Sequence, residues 1–175
     1  MNFATVKYND VSNGPGIRTS LFVSGCTHRC KGCFNSVAWD FDYGEKYTKN
    51  TENEIVESLR SPYIKGLTLL GGEPFEPQNQ EALLALVERI KSELPEKTIW
   101  CFSGYTIEEM LGGKLSEVKT TLPLLKHIDV LVDGKFVEEL KSLTLKFKGS
   151  SNQRTILVQE TLEKGEIVLL YQEEK

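Results

Sequence analysis

Long apolar runs are missing from this 175-residue sequence. No stretch approaches the roughly 20 consecutive apolar residues that a membrane-spanning helix needs. The first residues, Met-Asn-Phe-Ala-Thr, also lack the basic and then apolar pattern of a secretory signal. We therefore expect no membrane partner and a cytoplasmic location.

Clusters of basic residues are missing as well. The 21 Lys and Arg residues are outnumbered by 25 Asp and Glu residues, which gives a formal net charge of −4. Proteins that bind nucleic acid usually concentrate Lys and Arg on one face or in one segment. Here the basic residues are spread along the chain, so a nucleic-acid partner is not expected.

Cysteine is scarce, because the chain has only four, yet three of them are crowded into eight positions. A disulfide between any two of Cys26, Cys30 and Cys33 would close a very small loop and leave the third thiol unpaired. In a reducing compartment such crowding favours a metal site. The fourth, Cys101, alternates along an apolar run and is predicted to be a small buried side chain.

Strand and helix patterns alternate through the middle of the chain. Helices are predicted from Thr51, where Glu54 would complete a capping box, to near Pro62, from Asn79 to Pro95, and over residues 106–111. Short apolar runs that stop in Gly- or Ser-containing loops predict strands at 19–24, 66–70, 98–102 and 128–132.

This alternation predicts an α/β fold of βαβ units, with mostly parallel strands and a single domain over residues 1–175. Ligands of such folds gather beyond the carboxyl ends of the strands. Cys26, Gly72, Ser103 and Asp133 all fall on loops of this kind. At the C-terminus, two β-rich runs on either side of Glu163-Lys164-Gly165 predict a β-hairpin over 154–171.

The three crowded cysteines permit two kinds of metal site. An iron–sulfur cubane normally takes four cysteine ligands, so three would leave one iron open to the amino and carboxylate groups of S-adenosylmethionine. Alternatively, His28 could complete a Cys₃His zinc site, although structural zinc sites usually split their ligands into two separated pairs. A histidine in a loop more often faces solvent or the backbone.

Residues 71–74, Gly-Gly-Glu-Pro, are either a simple turn or part of a binding loop. In the second case the glycines allow a ligand to approach the backbone, and Glu73 can accept hydrogen bonds from the ligand's ammonium group. Arg18 and Lys135 are interpreted from the sequence alone as solvated charges.

The Cys-x₃-Cys-x₂-Cys spacing followed by Gly-Gly-Glu-Pro resembles the radical S-adenosylmethionine superfamily. Within it, the chain looks like the activating proteins of anaerobic (class III) ribonucleotide reductase, and the matching segments are colinear from about residue 11 to about residue 154. These segments are 13–18, 22–35, 70–75, 129–136 and 149–154.

The resemblance implies a partial, open (β/α) barrel of the radical S-adenosylmethionine type. It also implies a [4Fe-4S] cluster on Cys26, Cys30 and Cys33, with S-adenosylmethionine as second cofactor. The implied enzyme is an oxidoreductase that activates the reductase by generating a glycyl radical near its C-terminus. The electron donor would be a flavodoxin-type or ferredoxin-type protein, and a homodimer is compatible with the resemblance.

The family pattern places the adenosyl side of the site at Gly32, Cys33 and Phe34, and the methionine moiety at Gly72 and Glu73. Asp133 and Lys135 would be contacts of second rank. This chain has Gly32 where the superfamily commonly has an aromatic residue, so the residue that stacks on adenine stays open. The alternatives are activation of another glycyl-radical enzyme such as pyruvate formate-lyase, a small-molecule substrate, or a zinc-stabilised binding domain.

Overall fold

The computed structural model describes residues 1–171, which form seven strands, five α-helices and two short 3₁₀ turns. In chain order the strands and α-helices are β1 (Asn2–Asp10), β2 (Ile17–Val23), β3 (Glu45–Lys46), α1 (Lys49–Leu59), β4 (Ile64–Gly71), α2 (Pro77–Glu93), β5 (Thr98–Phe102), α3 (Ile107–Leu111), α4 (Thr121–His127), β6 (Val130–Asp133), β7 (Arg154–Leu157) and α5 (Val158–Lys164).

The seven strands form one sheet in the order β3-β1-β2-β4-β5-β6-β7. Its centre, β2-β4-β5-β6, is parallel, whereas β1, β3 and β7 pair antiparallel at the two sides. The sheet does not close on itself. The predicted α/β class is therefore confirmed, and the parallel arrangement holds for the centre of the sheet.

The main hydrophobic core lies between the sheet and the helices. Alternate strand residues such as Leu21, Leu69 and Ile99 face this core, together with the buried side of α2. Cys101 is one of these core residues and is fully buried, as its place in an apolar strand predicted. Because both sides of the parallel centre are covered, its strands are almost continuously buried.

The opposite side of the sheet, called here the cavity face, carries the intervening strand residues. Trp100, Val130 and Val132 form a smaller apolar cluster there, with Phe102 and Phe147 packed against it. At the amino end of this face one buried charged side chain, Arg18, joins the central strands.

Arg18 lies at the amino end of the cavity face with only 1% of its surface exposed. Its guanidinium donates to Thr68 Oγ1 (2.7 Å), Leu67 O (2.8 Å) and both oxygens of Thr98, and it stands over the ring of Trp100. Burial lowers the pKa of Arg18 to about 10. The interpretation of Arg18 as a solvated charge was wrong, because sequence alone does not show which strands converge on it.

Helix α1 begins earlier than the sequence predicted. The N-cap is Thr48, whose hydroxyl accepts from the Thr51 backbone, and the Thr51 side chain completes the capping box. Glu54 is instead bonded to Asn50. The predicted box at Thr51 and Glu54 was wrong because several Thr and Glu residues in this segment satisfy the same spacing.

The predicted C-terminal hairpin over residues 154–171 is wrong in its middle. β7 is present, but α5 follows it directly. Gly165, interpreted from the sequence as a hairpin turn, ends that helix in the left-handed conformation, φ 70°. The chain then returns beside β7 through a single antiparallel bridge between Ile156 and Leu169.

No helix within residues 1–171 has the length and apolar character needed to cross a membrane.

Candidate functional site

The cysteine loop follows β2 directly, at the carboxyl end of the parallel centre. Cys26, Cys30 and Cys33 are all partly buried and unpaired. Burial, together with the smaller effect of the negative charges of Glu73 and Glu76, raises the pKa of Cys26 to about 11. Burial also raises the pKa of Cys30. A positively charged metal centre would offset this cost, because it stabilises the thiolate form.

Glu73 is the best-connected side chain of the loop that follows β4. Its carboxylate is 1% exposed and accepts four hydrogen bonds. The donors are the Phe75 backbone (2.8 Å), the Ser103 hydroxyl (2.8 Å), the Gly104 backbone (2.6 Å) and His28 Nε2 (3.0 Å). Glu73 therefore joins the loops after β2, β4 and β5 at a single point.

His28 is directed at neither solvent nor the backbone, contrary to the expectation for a loop histidine. Its ring pairs with Glu73 and packs edge-on against Tyr105, with ring centroids 4.3 Å apart. The ring lies so close to Gly104 that any side chain at that position would collide with it. His28 thus fastens the cysteine loop to the two neighbouring loops.

Glu76 makes a second attachment that the sequence interpretation missed. This buried carboxylate accepts from the backbone N–H and the hydroxyl of Thr27, at 2.7 and 2.6 Å. The available signal was a second glutamate three residues after Glu73, next to a predicted ligand loop. Glu73 and Glu76 together hold residues 27 and 28, between the first two cysteines.

Gly72 has a structural reason to be glycine. Its backbone N–H donates to Val23 O at 2.7 Å, and a Cβ atom there would lie 2.5 Å from the carbonyl of Gly25 and 2.9 Å from that of Ala38. The absence of a side chain lets the loop after β4 pack against the start of the cysteine loop.

A cavity of about 460 Å³ opens at this end of the sheet, within the size range of small-ligand sites. The residues predicted to hold the cluster, the adenosyl side and the methionine moiety all line it: Cys26, Cys30, Gly32, Cys33, Phe34, Gly72 and Glu73. Within residues 1–171, no three His, Cys, Asp or Glu side chains converge as for a single metal ion. A cubane separates its cysteine sulfurs more widely, because each cysteine binds a different iron.

Residues 134–149, called here the flap, form the outer wall of the cavity, and the sequence did not predict this. Phe136, Leu143, Leu145 and Phe147 of this segment line the cavity. Leu143 and Phe34, on opposite segments of the rim, are 93% and 92% exposed. A long segment without helical or alternating periodicity offers little to predict its course from sequence.

The Asp133 carboxylate is bonded to groups outside the cavity, and Asp133 is not among the residues within 1–171 that line the cavity. It accepts from the Ile107 backbone at 2.9 Å and from Arg154, which in turn binds both oxygens of Glu108. Lys135 is exposed and is likewise absent from that lining. The structure therefore gives no support to either residue as a contact of second rank.

Comparison with known proteins adds two findings. A family model described as a 4Fe-4S single cluster domain matches residues 12–156. An anaerobic ribonucleoside-triphosphate reductase-activating protein of Vibrio cholerae is 45% identical over 155 residues, which cover 87% of this chain and 96% of the relative. The chain belongs to the family of anaerobic ribonucleoside-triphosphate reductase-activating proteins.

Other members of this activating-protein family are similar over nearly the same span. The Escherichia coli K12 protein of that name is 43% identical over 155 residues, 87% of this chain and 96% of its own length. The protein of the same name from Enterobacteria phage T4 is 42% identical over 154 residues, 88% of this chain and 92% of its own. The matched 4Fe-4S domain includes the cysteine loop, the Glu73 loop and the flap.

Proposed function

We propose that this protein activates anaerobic ribonucleotide reductase by generating its glycyl radical, as a radical S-adenosylmethionine oxidoreductase. The observation that carries the proposal is a cavity at which three cysteines, without a fourth, meet a buried carboxylate of the facing loop. The chain also belongs to a family whose members are named for activating this reductase.

Cys26, Cys30 and Cys33 are the proposed ligands of the [4Fe-4S] cluster. They lie on one loop, line one cavity and are partly buried, so a bound cluster would be shielded yet open to the cavity. With S-adenosylmethionine bound, the cluster would supply the reductive cleavage that yields the 5′-deoxyadenosyl radical, which abstracts hydrogen from the reductase glycine.

Gly72 and Glu73 are the proposed contacts of the methionine moiety, and Gly32, Cys33 and Phe34 those of the adenosyl side. Glu73 is held rigidly by donors from two neighbouring loops, His28 from one and Ser103 and Gly104 from the other, so its carboxylate is oriented before any ligand arrives. Phe34 is almost completely exposed at the rim, where a bound adenine ring would cover it.

The proposed substrate is a protein segment. We interpret the open seven-stranded sheet as a partial (β/α) barrel of the radical S-adenosylmethionine type, and its opening would let such a segment enter the cavity. The remaining parts of the proposal are a cytoplasmic location, a flavodoxin-type or ferredoxin-type electron donor, and a homodimer.

The proposal is tested by anaerobic reconstitution of the full chain with iron and sulfide, followed by addition of reductant, S-adenosylmethionine and the organism's own reductase. We expect 5′-deoxyadenosine and a glycyl radical signal in electron paramagnetic resonance. Cleavage of S-adenosylmethionine without that signal would contradict the partner, and a signal with pyruvate formate-lyase instead would support the other activase assignment.

Metal analysis separates the enzyme from a zinc-stabilised binding domain. About one zinc and no iron per chain in anaerobically purified protein would support the binding domain. Iron with sulfide would exclude it.

A further inference from the structure

The segment Gly149-Ser-Ser-Asn-Gln-Arg154 carries no part of the proposed chemistry, yet its side chains make an unusual set of bonds. Gln153 uses both ends of its amide. Its Oε1 accepts from the backbone N–H groups of Gly149 (2.8 Å) and Ser150 (3.1 Å), and its Nε2 donates to the carbonyl of Gly134 (2.9 Å). One side chain therefore ties the last residue of the flap to the first.

Two neighbouring side chains repeat this cross-connection. Ser150 Oγ accepts from the Val137 backbone at 3.1 Å, and Asn152 Nδ2 donates to the Lys135 carbonyl at 2.8 Å. Ser150 also forms an isolated antiparallel bridge with Lys141. The flap, 16 residues long by its numbering (134–149), thus has both of its ends fastened by residues 150, 152 and 153, which we call the clasp.

The fastened end of the flap reaches the cysteine loop. The Phe136 ring packs against Gly149, where an added Cβ would stand 3.0 Å from it. Lys31 pairs with Glu138 at 3.1 Å. At Gly32 a Cβ would lie 2.7 Å from Glu138 Oε1, so the two segments are in close contact.

We propose that Gln153 is a positioning residue, which holds the flap against the cysteine loop so that the cavity keeps its outer wall. The clasp touches no cysteine itself and acts through the flap. Solvent exposure is one of the factors that set the reduction potential of a cluster, so a loosened flap would alter that potential. The consequences for S-adenosylmethionine and the cluster rest on the proposed function, whereas the fastening of the flap does not.

The test is Gln153→Ala in the full chain, examined by hydrogen exchange as purified and after anaerobic reconstitution. Because three hydrogen bonds are lost, exchange in peptides covering 134–149 should be faster by about tenfold or more. Exchange in β5 and β6 should be unchanged. Gln153→Glu keeps the acceptor for Gly149 and Ser150 but loses the donor to Gly134, so its effect should be intermediate.

Gln159→Ala is the matched control. The Gln159 amide also bridges backbone carbonyls, those of Lys126 and Ile128, at 2.9 and 2.7 Å, but it lies outside the cavity lining. This variant should leave exchange in the flap within about twofold of wild type. The control therefore distinguishes the effect of losing the clasp from the general effect of removing a glutamine that bonds the backbone.

Three further measurements connect the clasp to the reaction in reconstituted Gln153→Ala. Iron content should stay at the wild-type level, the cluster's midpoint potential should become less negative, and the KM for S-adenosylmethionine should rise several-fold while kcat changes less. A loosened flap would admit water to the cluster, and water stabilises the reduced form, which carries more negative charge. A merely structural role would leave the midpoint potential unchanged.

Unchanged exchange in the flap of Gln153→Ala would overturn the proposal. So would equal acceleration in the flap and in the central strands, because that outcome means general destabilisation. A flap that loosens while the midpoint potential and the KM stay at wild-type values would overturn the positioning role. If the wild-type protein fails to cleave S-adenosylmethionine, the proposed function falls, while the exchange experiment still decides whether the clasp exists.

Discussion

The two ends of the cavity face use polar groups in opposite ways. At the amino end, Arg18 is surrounded by fixed acceptors from β4 and β5, and four of its five N–H groups donate to them. At the carboxyl end, three thiols and the exposed ring of Phe34 face a cavity. The same strands therefore carry polar groups that are bonded within the protein at one end and polar groups that face a cavity at the other.

This difference separates stability from function along the sheet. A buried guanidinium with four of its five donors bonded holds the strands together and has little bonding capacity left for a ligand. Thiols at the carboxyl end keep their capacity for a metal, while Glu73, Glu76 and His28 hold the loop in place. Substitutions at the two ends should accordingly affect different measurements.

The largest effect is expected for Cys30→Ala at the open end. Loss of one of three proposed ligands should abolish cluster assembly, so that iron content and 5′-deoxyadenosine formation both fall below detection. Cys101→Ala is the matched control, because its thiol is sealed in the main core and its iron content should be unchanged. Loss of iron in the Cys101 variant would overturn its assignment as a packing residue.

At the closed end, Arg18→Met should lower the free energy of unfolding by about 3 kcal/mol, because Thr68, Thr98 and the carbonyl of Leu67 would be left without their donor. Urea unfolding measures this loss. The iron content of the remaining folded protein should match wild type. A loss below about 1 kcal/mol would show that water or neighbouring groups replace the guanidinium.

Both loop glutamates anchor the cysteine loop, but only Glu73 is also a proposed contact of the ligand. Glu73→Gln removes the proposed partner of the ligand's ammonium and should raise the KM for S-adenosylmethionine roughly tenfold, with iron content retained. Glu76→Gln weakens the attachment of Thr27 and should instead speed iron loss to a chelator. Equal effects of the two variants on both measurements would contradict the assigned roles.

The smallest effect concerns pH and the Glu108–Arg154 pair beside the cavity. Hydrogen bonds from Arg154 lower the pKa of Glu108 from 4.5 to about 2. Because the folded-state value is the lower one, the pair stabilises the protein above pH 4.5, and this contribution is lost as the pH falls toward 2. The carboxylate is more than half exposed, so the contribution should stay below about 1 kcal/mol.

Unfolding of Glu108→Gln and wild type at several pH values measures this contribution. The stability difference between the two proteins should be largest near pH 6 and should shrink toward pH 2. A difference independent of pH would mean that packing, rather than charge, accounts for it.

The central strands and the positions of the predicted cluster loop could be predicted from sequence, because apolar runs that end in glycine-rich loops are local signals. The residues around Cys26 and Glu73 fall where such reasoning placed them, at the carboxyl ends of adjacent parallel strands. The roles of Cys26, Cys30 and Cys33 as ligands stay predictions until iron is measured.

The partners of Arg18 and His28 could not be predicted, because each depends on contacts between segments about 45 to 80 residues apart. The C-terminal hairpin was wrong for a related reason. Gly165 ends a helix as readily as it makes a turn, and local sequence does not distinguish the two. The flap lacks any periodic pattern, and its course depends on the bonds that Ser150, Asn152 and Gln153 make with it.

An open sheet has two unpaired edges, and exposed edges commonly recruit strands of other molecules into aggregates. In this protein β3 has only two residues, and β7 is shielded where the returning chain bonds Leu157 N to Val168 O and Leu170 N to Thr155 O. The β7 edge is thereby covered. The part of β1 beyond β3 is irregular instead, with two breaks in its register, and such irregularity also discourages edge pairing. The protein can keep the mouth of its cavity accessible without offering a template for fibre growth.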